Sequence, residues 1–343
     1  MTDKKNARTS SSKSNIRRYQ SLDQVRKRID EVDAEIARLL AERLALASEV
    51  AALKIDLNIS IKDGAREQEV LDRVTTAASD AHICAAIREI YQTIFACSRQ
   101  LQRIDAARAC AMEAPVYFPQ ITIVGLGLIG GTLARLVRET VPETRIIAVD
   151  SDADALNQAV EEGIINRGEA DLRKAIARSA LVILAATPEA NMQLLSEMAP
   201  HLSKRQLVID VTSIKSPIVE AAEQAKLKAD FIGGHPMFGS ERSGFEASQA
   251  VQADGAVFCL TPAGRSSEIS LRRLIRWLGA LNLKAHVIEA AQHDKVLART
   301  SHAVQLLAVA VGSGLADLCE QAGRDTVSSL CGTSMRQLSR LMS

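Results

Sequence analysis

Between Ser21 and Arg108 the chain carries one glycine, Gly64, and no proline. Glycine and proline supply the positive φ angles and fixed bends of tight turns, so this stretch has little means of folding as short strands. Its apolar residues have helical spacing instead. Ser21 and Gln24 form an S-x-x-Q capping box, and Val25, Ile29, Val32, Ile36, Leu39, Leu40, Val50 and Leu53 follow at intervals dominated by three and four. One amphipathic helix is predicted to about residue 56 and a second over 65–78. A third is predicted from about residue 82, with Ile87, Ile90, Tyr91, Ile94 and Leu101 on its apolar face. A single long helix cannot bury such a stripe alone, so helix packing within a homodimer is expected.

The texture changes after Ala114-Pro115-Val116-Tyr117-Phe118-Pro119. Short apolar runs at 121–124, 146–149, 181–186, 207–211, 231–233 and 257–260 alternate with helix-like stretches. Strands alternating with helices imply a parallel sheet covered on both faces. From Ala290 the pattern is helical again. The expected organisation is a disordered basic tail (1–19), an all-α domain (20–111), a linker (112–119), an α/β domain (120–289) and a short C-terminal helical segment (290–343).

Composition narrows the function. Lysine plus arginine is 42 against 41 acids, a net charge of +1. A general nucleic-acid or membrane-surface binder would show a basic excess. Aromatics at 3% are too few for a base-stacking platform. No apolar run reaches the roughly 18 residues of a membrane span, so no membrane partner is expected. Cys84, Cys97, Cys110, Cys259, Cys319 and Cys331 include no C-x-x-C pair and read as buried reduced thiols of a cytoplasmic protein; no metal site is expected. The basic, serine-rich first 18 residues read as a solvated tail, with a transit peptide as the alternative.

Gly125-Leu126-Gly127-Leu128-Ile129-Gly130 follows a predicted strand and opens a predicted helix, the required context for a dinucleotide fingerprint. Gly125 permits the turn, Gly127 lets backbone approach a pyrophosphate, and Gly130 lets helix and strand pack closely. Asp150 ends the next strand, 20 residues after Gly130, where a carboxylate accepts ribose hydroxyls and repels a 2′-phosphate. With no arginine or lysine between Asp150 and Gly163, NAD is expected over NADP. A flavin site or a vestigial Rossmann domain is the alternative.

His235 sits in Gly233-Gly234-His235-Pro236-Met237-Phe238-Gly239, read as lying just after a strand. Ligands of open α/β sheets bind beyond the carboxyl ends of strands, and an imidazole there can take a proton from a substrate hydroxyl. Ser213, in Thr212-Ser213-Ile214-Lys215, follows the previous strand and could hold that histidine or the hydroxyl; a helix N-cap before Pro217 is its plainer alternative.

The G-x-G-x-x-G, T-S-x-K and G-H-P-M-F-G elements, in this order, resemble the prephenate dehydrogenase family over roughly residues 120–343. Gln292-His293-Asp294 and Ser301-His302 resemble that family's H-D and S-H elements. The resemblance implies oxidative decarboxylation of prephenate to 4-hydroxyphenylpyruvate with hydride transfer to NAD. It makes His235 the catalytic hydrogen-bond acceptor and Ser213 its partner. Arg336 resembles the arginine that grips a substrate carboxylate, with Asp294 as a candidate orienting partner. Gln305 stands where the family commonly has a second histidine, and only seven residues follow Arg336, a short end for the family.

On the first predicted helix Arg43 and Lys54 are 11 residues apart, about 16.5 Å along one face, with Ala47 and Val50 between them. Two long cations flanking small residues suit a small dianion. Ser98 and Gln102 share a face of the third helix. A solvated charged bundle is the plainer alternative. Val25-Arg26-Lys27-Arg28-Ile29-Asp30, Leu40-Ala41-Glu42-Arg43, Val50 to Lys54 and Asp63-x-x-Arg66-Glu67 resemble the all-helical chorismate mutases over about residues 20–105. Carried over, Arg43 and Arg66 bind the two carboxylates and Arg26 is supplied by the partner subunit. Lys54 and Gln102 face the ether oxygen, Glu67 and Asp63 orient the ring hydroxyl, and Ser98 contacts a carboxylate.

The two halves concern consecutive reactions, since the first makes the prephenate that the second consumes. Together they resemble the bifunctional chorismate mutase–prephenate dehydrogenases of tyrosine biosynthesis. Alternatives are an active mutase joined to an inactive or regulatory dehydrogenase half, a non-catalytic NAD-responsive binding protein, or a dehydrogenase acting on arogenate or 4-amino-4-deoxyprephenate.

Overall fold

A computed structural model describes residues 21–56, 63–76, 80–110, 114–330 and 332. Three helices come first: α1 (Leu22–Asp56), α2 (Gly64–Thr75) and α3 (Ala81–Cys110). The Ser21 hydroxyl accepts from the Gln24 amide, so the expected cap starts α1. Along its surface Arg28 pairs with Glu31, and Arg38 with Glu35 and Glu42, at the i,i+3 and i,i+4 spacings that support a helix in water. Asp63 caps α2 by accepting from Arg66 N. The helix α3 lies along α1 on one side and against the following domain on the other, where the Gln100 amide donates to the Val287 carbonyl at 2.7 Å.

The second region runs β1 (Gln120–Val124), α4 (Leu128–Thr140), β2 (Arg145–Val149), α5 (Ala153–Glu161), β3 (Arg167–Gly168), α6 (Leu172–Ile176), β4 (Leu181–Leu184) and α7 (Pro188–Met198). It continues with β5 (Leu207–Asp210), α8 (Ser216–Gln224), β6 (Asp230–Pro236), β7 (Val257–Pro262), α9 (Glu268–Ala280) and β8 (Lys284–Val287). Among the described residues these strands form one sheet in the order β3-β2-β1-β4-β5-β6-β7-β8. The first six in that order are parallel. The strand order reverses between β1 and β4, which opens a crevice at their carboxyl ends.

Alternation along the strands explains the two-sided core. Ile121, Ile123, Leu181 and Ile183 face one layer with Phe118, Phe258 and Trp277. Val124, Val182, Leu184 and Val208 face the other with Leu195, Met198 and Ile218. Side chains of successive strand residues point to opposite faces, so a strand covered on both sides reads as a continuous apolar run.

Several expectations change. The sheet is mixed, because β7 runs antiparallel to β6 and β8 follows β7. The short strands β3 and β8 carry too little apolar pattern to announce themselves. Phe118, assigned to the linker, is fully buried edge-on to Trp277 with ring centroids 5.8 Å apart, so the α/β core begins before β1. Among the described cysteines Cys259 is buried but Cys97 is exposed, because its position on α3 faces away from the packing.

Helices α10 (Ala290–Leu297), α11 (Ala303–Ala322) and α12 (Arg324–Leu330) follow, with a π-helical turn joining the first two. The continuous stretch Ala290–Ala322 is long and apolar enough, by length and composition, to cross a membrane. A count of consecutive apolar residues does not register it, because Gln305 and Ser313 interrupt the run without lowering its average far enough. Leu306, Leu307 and Val309 are exposed on α11.

Candidate active sites

The three N-terminal helices line an open cavity of about 390 Å³. Arg43, Ala47, Val50 and Lys54 line it from α1, one face of that helix. Ser98, Arg99 and Gln102 line it from α3, and Asp63, Arg66 and Glu67 from the start of α2. Four cations therefore meet two acids, an excess of positive charge suited to a small dianion.

Arg43 is held in place. Its guanidinium donates to the Ser98 hydroxyl at 2.7 Å and lies 5.5 Å from the centre of the Phe95 ring. The Ser98 hydroxyl in turn donates to the Ile94 carbonyl. Accepting from Arg43 while donating to Ile94, Ser98 positions the guanidinium beside the cavity. Gln102 donates from Nε2 to the Ala47 carbonyl at 2.9 Å, which leaves one amide hydrogen for the cavity. Glu67 is ion-paired with Arg99, a cavity residue the sequence reading missed although it shares a helix face with Gln102. Asp63 is engaged as the α2 cap, and the Arg66 guanidinium pairs with Glu69 at 2.7 Å. Arg26 is exposed near the start of α1 and outside this cavity.

At the carboxyl end of β1, Gly125 has φ +97, and a Cβ there would meet the Ala185 carbonyl at 2.6 Å. A Cβ on Gly130 would lie 2.0 Å from the Gly125 carbonyl oxygen, so both positions require glycine. Gly127 differs, since its Cβ would point into open space, as a backbone cradle for a ligand requires. The first N–H groups of α4 lack intrahelical acceptors and suit a phosphate. Asp150 accepts from the backbone amides of Leu126 and Asp152 and retains lone pairs for a ribose hydroxyl. These residues fit a dinucleotide.

His235 lies within β6, not after it, because the pairing with antiparallel β7 carries the strand on to Pro236. Beneath it Lys215 is fully buried, with its ammonium 2.5 Å from Asp210, 2.6 Å from the Gly234 carbonyl and 3.2 Å from the Thr212 hydroxyl. Burial pushes the lysine pKa down and Asp210 opposes that shift. In the T-S-x-K element the threonine and the lysine are thus buried, and the serine is not. Removing one partner of a buried pair strands the other charge, so Lys215→Met should cost about 3–5 kcal/mol of stability. Urea unfolding checks this; an unchanged midpoint would show that the pair is dispensable.

Ser213 is exposed, and the ring partner found for His235 is His293: Nδ1 to Nε2 is 2.9 Å. Nor does Ser213 cap α8. That helix begins at Ser216, and the Asp294 carboxylate accepts from the Lys215 and Ser216 amides at 2.8 and 2.7 Å. Asp294 also lies 2.9 Å from His293 Nδ1, so it serves both α8 and His293. Arg336 lies outside the described residues. Gln305 is exposed on α11. The signal for His293 was present in the Gln292-His293-Asp294 element, but nothing local tied it to His235.

The type II chorismate mutase model matches residues 25–103, and the model of the prephenate dehydrogenase nucleotide-binding domain matches 133–289. A chorismate mutase of Methanocaldococcus jannaschii is 35% identical over 85 residues, 24% of this chain and 86% of that protein. Bacillus subtilis prephenate dehydrogenase is 31% identical over 195 residues, covering 56% of this chain and 52% of that protein. The T-protein of Haemophilus influenzae is 26% identical over 245 residues, 69% and 57% of the two chains. The chain thus spans about half the length of the prephenate dehydrogenase relatives it matches. A solved Aquifex aeolicus prephenate dehydrogenase, in complex with hydroxyphenyl propionate and NAD+, shares the fold, with TM-score 0.58 and 24% identity over 66% of this chain and 79% of that one.

Proposed function

We propose that this chain, which belongs to the type II chorismate mutase family in its helical region and carries a prephenate dehydrogenase nucleotide-binding domain, catalyses two consecutive reactions. Chorismate rearranges to prephenate in the helical cavity. Prephenate is then oxidised and decarboxylated beside β6, yielding 4-hydroxyphenylpyruvate and carbon dioxide. The observation that carries this reading is the convergence of Arg43, Lys54 and Arg66 on one cavity, in a chain that also holds His235 at the carboxyl edge of a dinucleotide-type sheet.

The first reaction is intramolecular and needs no nucleophile. The arginines clamp the two carboxylates and so select a rare folded conformer. Lys54, with the remaining amide hydrogen of Gln102, stabilises the negative charge that grows on the breaking ether oxygen. In this reading the exposed stripe Val25, Ile29, Val32 and Ile36 packs against a second copy, and Arg26 completes the neighbour's cavity.

In the second reaction NAD, held by the turn at Gly125–Gly130 and by Asp150, would supply the acceptor for the hydride on the ring carbon that carries the hydroxyl. His235 Nε2 takes the hydroxyl proton as that hydride leaves. The ring carboxylate departs as carbon dioxide, its bonding pair aromatises the ring, and the proton returns to the phenolate oxygen. NAD is preferred over NADP because the Asp150 carboxylate repels a 2′-phosphate.

Burial, aided by His293, Lys215 and His302 and opposed by Asp294, pushes His235 down from 6.5 to about 4. A depressed base stays deprotonated as pH falls through 6.5. Dehydrogenase kcat/KM should hold level there and fall only as pH nears 4; a drop centred on 6.5 in the pH–rate profile contradicts it.

The coupled assay tests the whole reading. Purified protein with chorismate and NAD should consume chorismate and form NADH and 4-hydroxyphenylpyruvate, with NADP a poorer acceptor. Persistence of chorismate would remove the mutase. Accumulation of prephenate with NAD untouched would leave a mutase joined to a regulatory half, unless arogenate is oxidised in its place.

A further inference from the structure

We propose that His293 and Asp294 act as positioning residues that hold the His235 ring in its Nδ1–H form, so that Nε2 carries the lone pair that accepts the substrate proton. The inference rests on the dehydrogenase reading above and adds to it what makes His235 a base.

Asp294, His293 and His235 form a chain of three groups joined by two hydrogens. Asp294 accepts two backbone amides at the first turn of α8, one on each oxygen. Partial burial works against its charge, but the bonds from Ser216, Lys215 and His293 outweigh it and hold the pKa below the ordinary carboxylate value. Asp294 is therefore ionised and has no hydrogen of its own. The hydrogen between Asp294 Oδ1 and His293 Nδ1, 2.9 Å apart, belongs to His293. A neutral imidazole with hydrogen on Nδ1 has a bare Nε2. That bare nitrogen faces His235 Nδ1 at 2.9 Å, with the rings edge to face at 71°. The hydrogen between the two rings then belongs to His235, whose own Nε2 is left bare. Each step follows from the one before, and the sequence starts at a helix N-terminus that keeps Asp294 charged.

Burial removes the competing arrangement. His293 is fully buried, so water cannot replace His235 as the partner of its Nε2. The basic groups nearby, Lys215 beneath β6 and His302 from the π-helical turn, disfavour a second proton on His235. A doubly protonated His293 would reverse the polarity, placing hydrogen on His235 Nε2 and abolishing its capacity to accept. The two-ring relay thus separates a competent base from an incompetent one by the position of a single proton.

The test is nitrogen NMR of the full-length protein labelled at histidine, with His235 assigned by its loss in His235→Asn. At neutral pH the parent His235 should show a protonated Nδ1 and a bare Nε2. In His293→Phe, which offers no acceptor, the ring should shift toward the Nε2–H form, and kcat for prephenate oxidation should fall about 10–100-fold with KM little changed. In His293→Gln an amide oxygen can accept from His235 while the amide nitrogen donates to Asp294, so the parent tautomer and most of kcat should return. A parent ring protonated on Nε2 overturns the proposal, whatever the variants do. So does an unchanged tautomer in a folded His293→Phe protein. If the parent shows the Nδ1–H form but oxidises no prephenate, the relay stands and the dehydrogenase reading falls.

Discussion

His235→Asn is expected to slow dehydrogenase turnover by about 10²–10⁴-fold, the usual contribution of a positioned base, while chorismate is still consumed. Asparagine keeps a polar group at the end of β6 but cannot take up a proton. Prephenate should therefore accumulate when the variant is supplied with chorismate and NAD. The helical cavity lies in α1 to α3 and shares no side chain with the His235 site, so its rate should not change. The measurement is chorismate loss followed alongside NADH formation in one sample. NAD reduction at the parent rate would remove His235 from the chemistry.

Arg43→Ala should have the mirror-image effect. Its guanidinium is locked by the Ser98 hydroxyl and the Phe95 ring, so the charge waits in position for a carboxylate and needs no rearrangement. Loss of a preorganised donor in a site of this kind costs about 10²–10³ in rate. The variant should convert chorismate at least that much more slowly and oxidise added prephenate as the parent does. Loss of both activities, with circular dichroism unchanged, would mean that the two reactions share a site.

The two variants together ask whether one chain holds two independent centres. Their sites are joined through α3, whose Gln100 side chain bonds the edge strand β8 while Ser98 and Gln102 face the cavity. That contact fixes the helical region against the sheet without placing a shared side chain in either site.

Much of this was legible from residue order. The capping box at Ser21, the spacing from Val25 onward and the want of turn residues predicted α1 almost to its last residue. The glycines of 125–130 and the apolar runs announced the dinucleotide crevice and its strands. These features are local: a helix, a strand or a glycine turn is specified by neighbours a few positions away, through period, φ and capping. The partners of the functional groups are not local. His235 meets a histidine 58 positions later, Arg43 meets a serine 55 positions later, and Asp294 caps a helix that starts 78 positions earlier. Which of several polar side chains reaches a given atom depends on how elements pack and which rotamers that packing allows, so Ser213 and His293 could be told apart only once the chain had folded around β6.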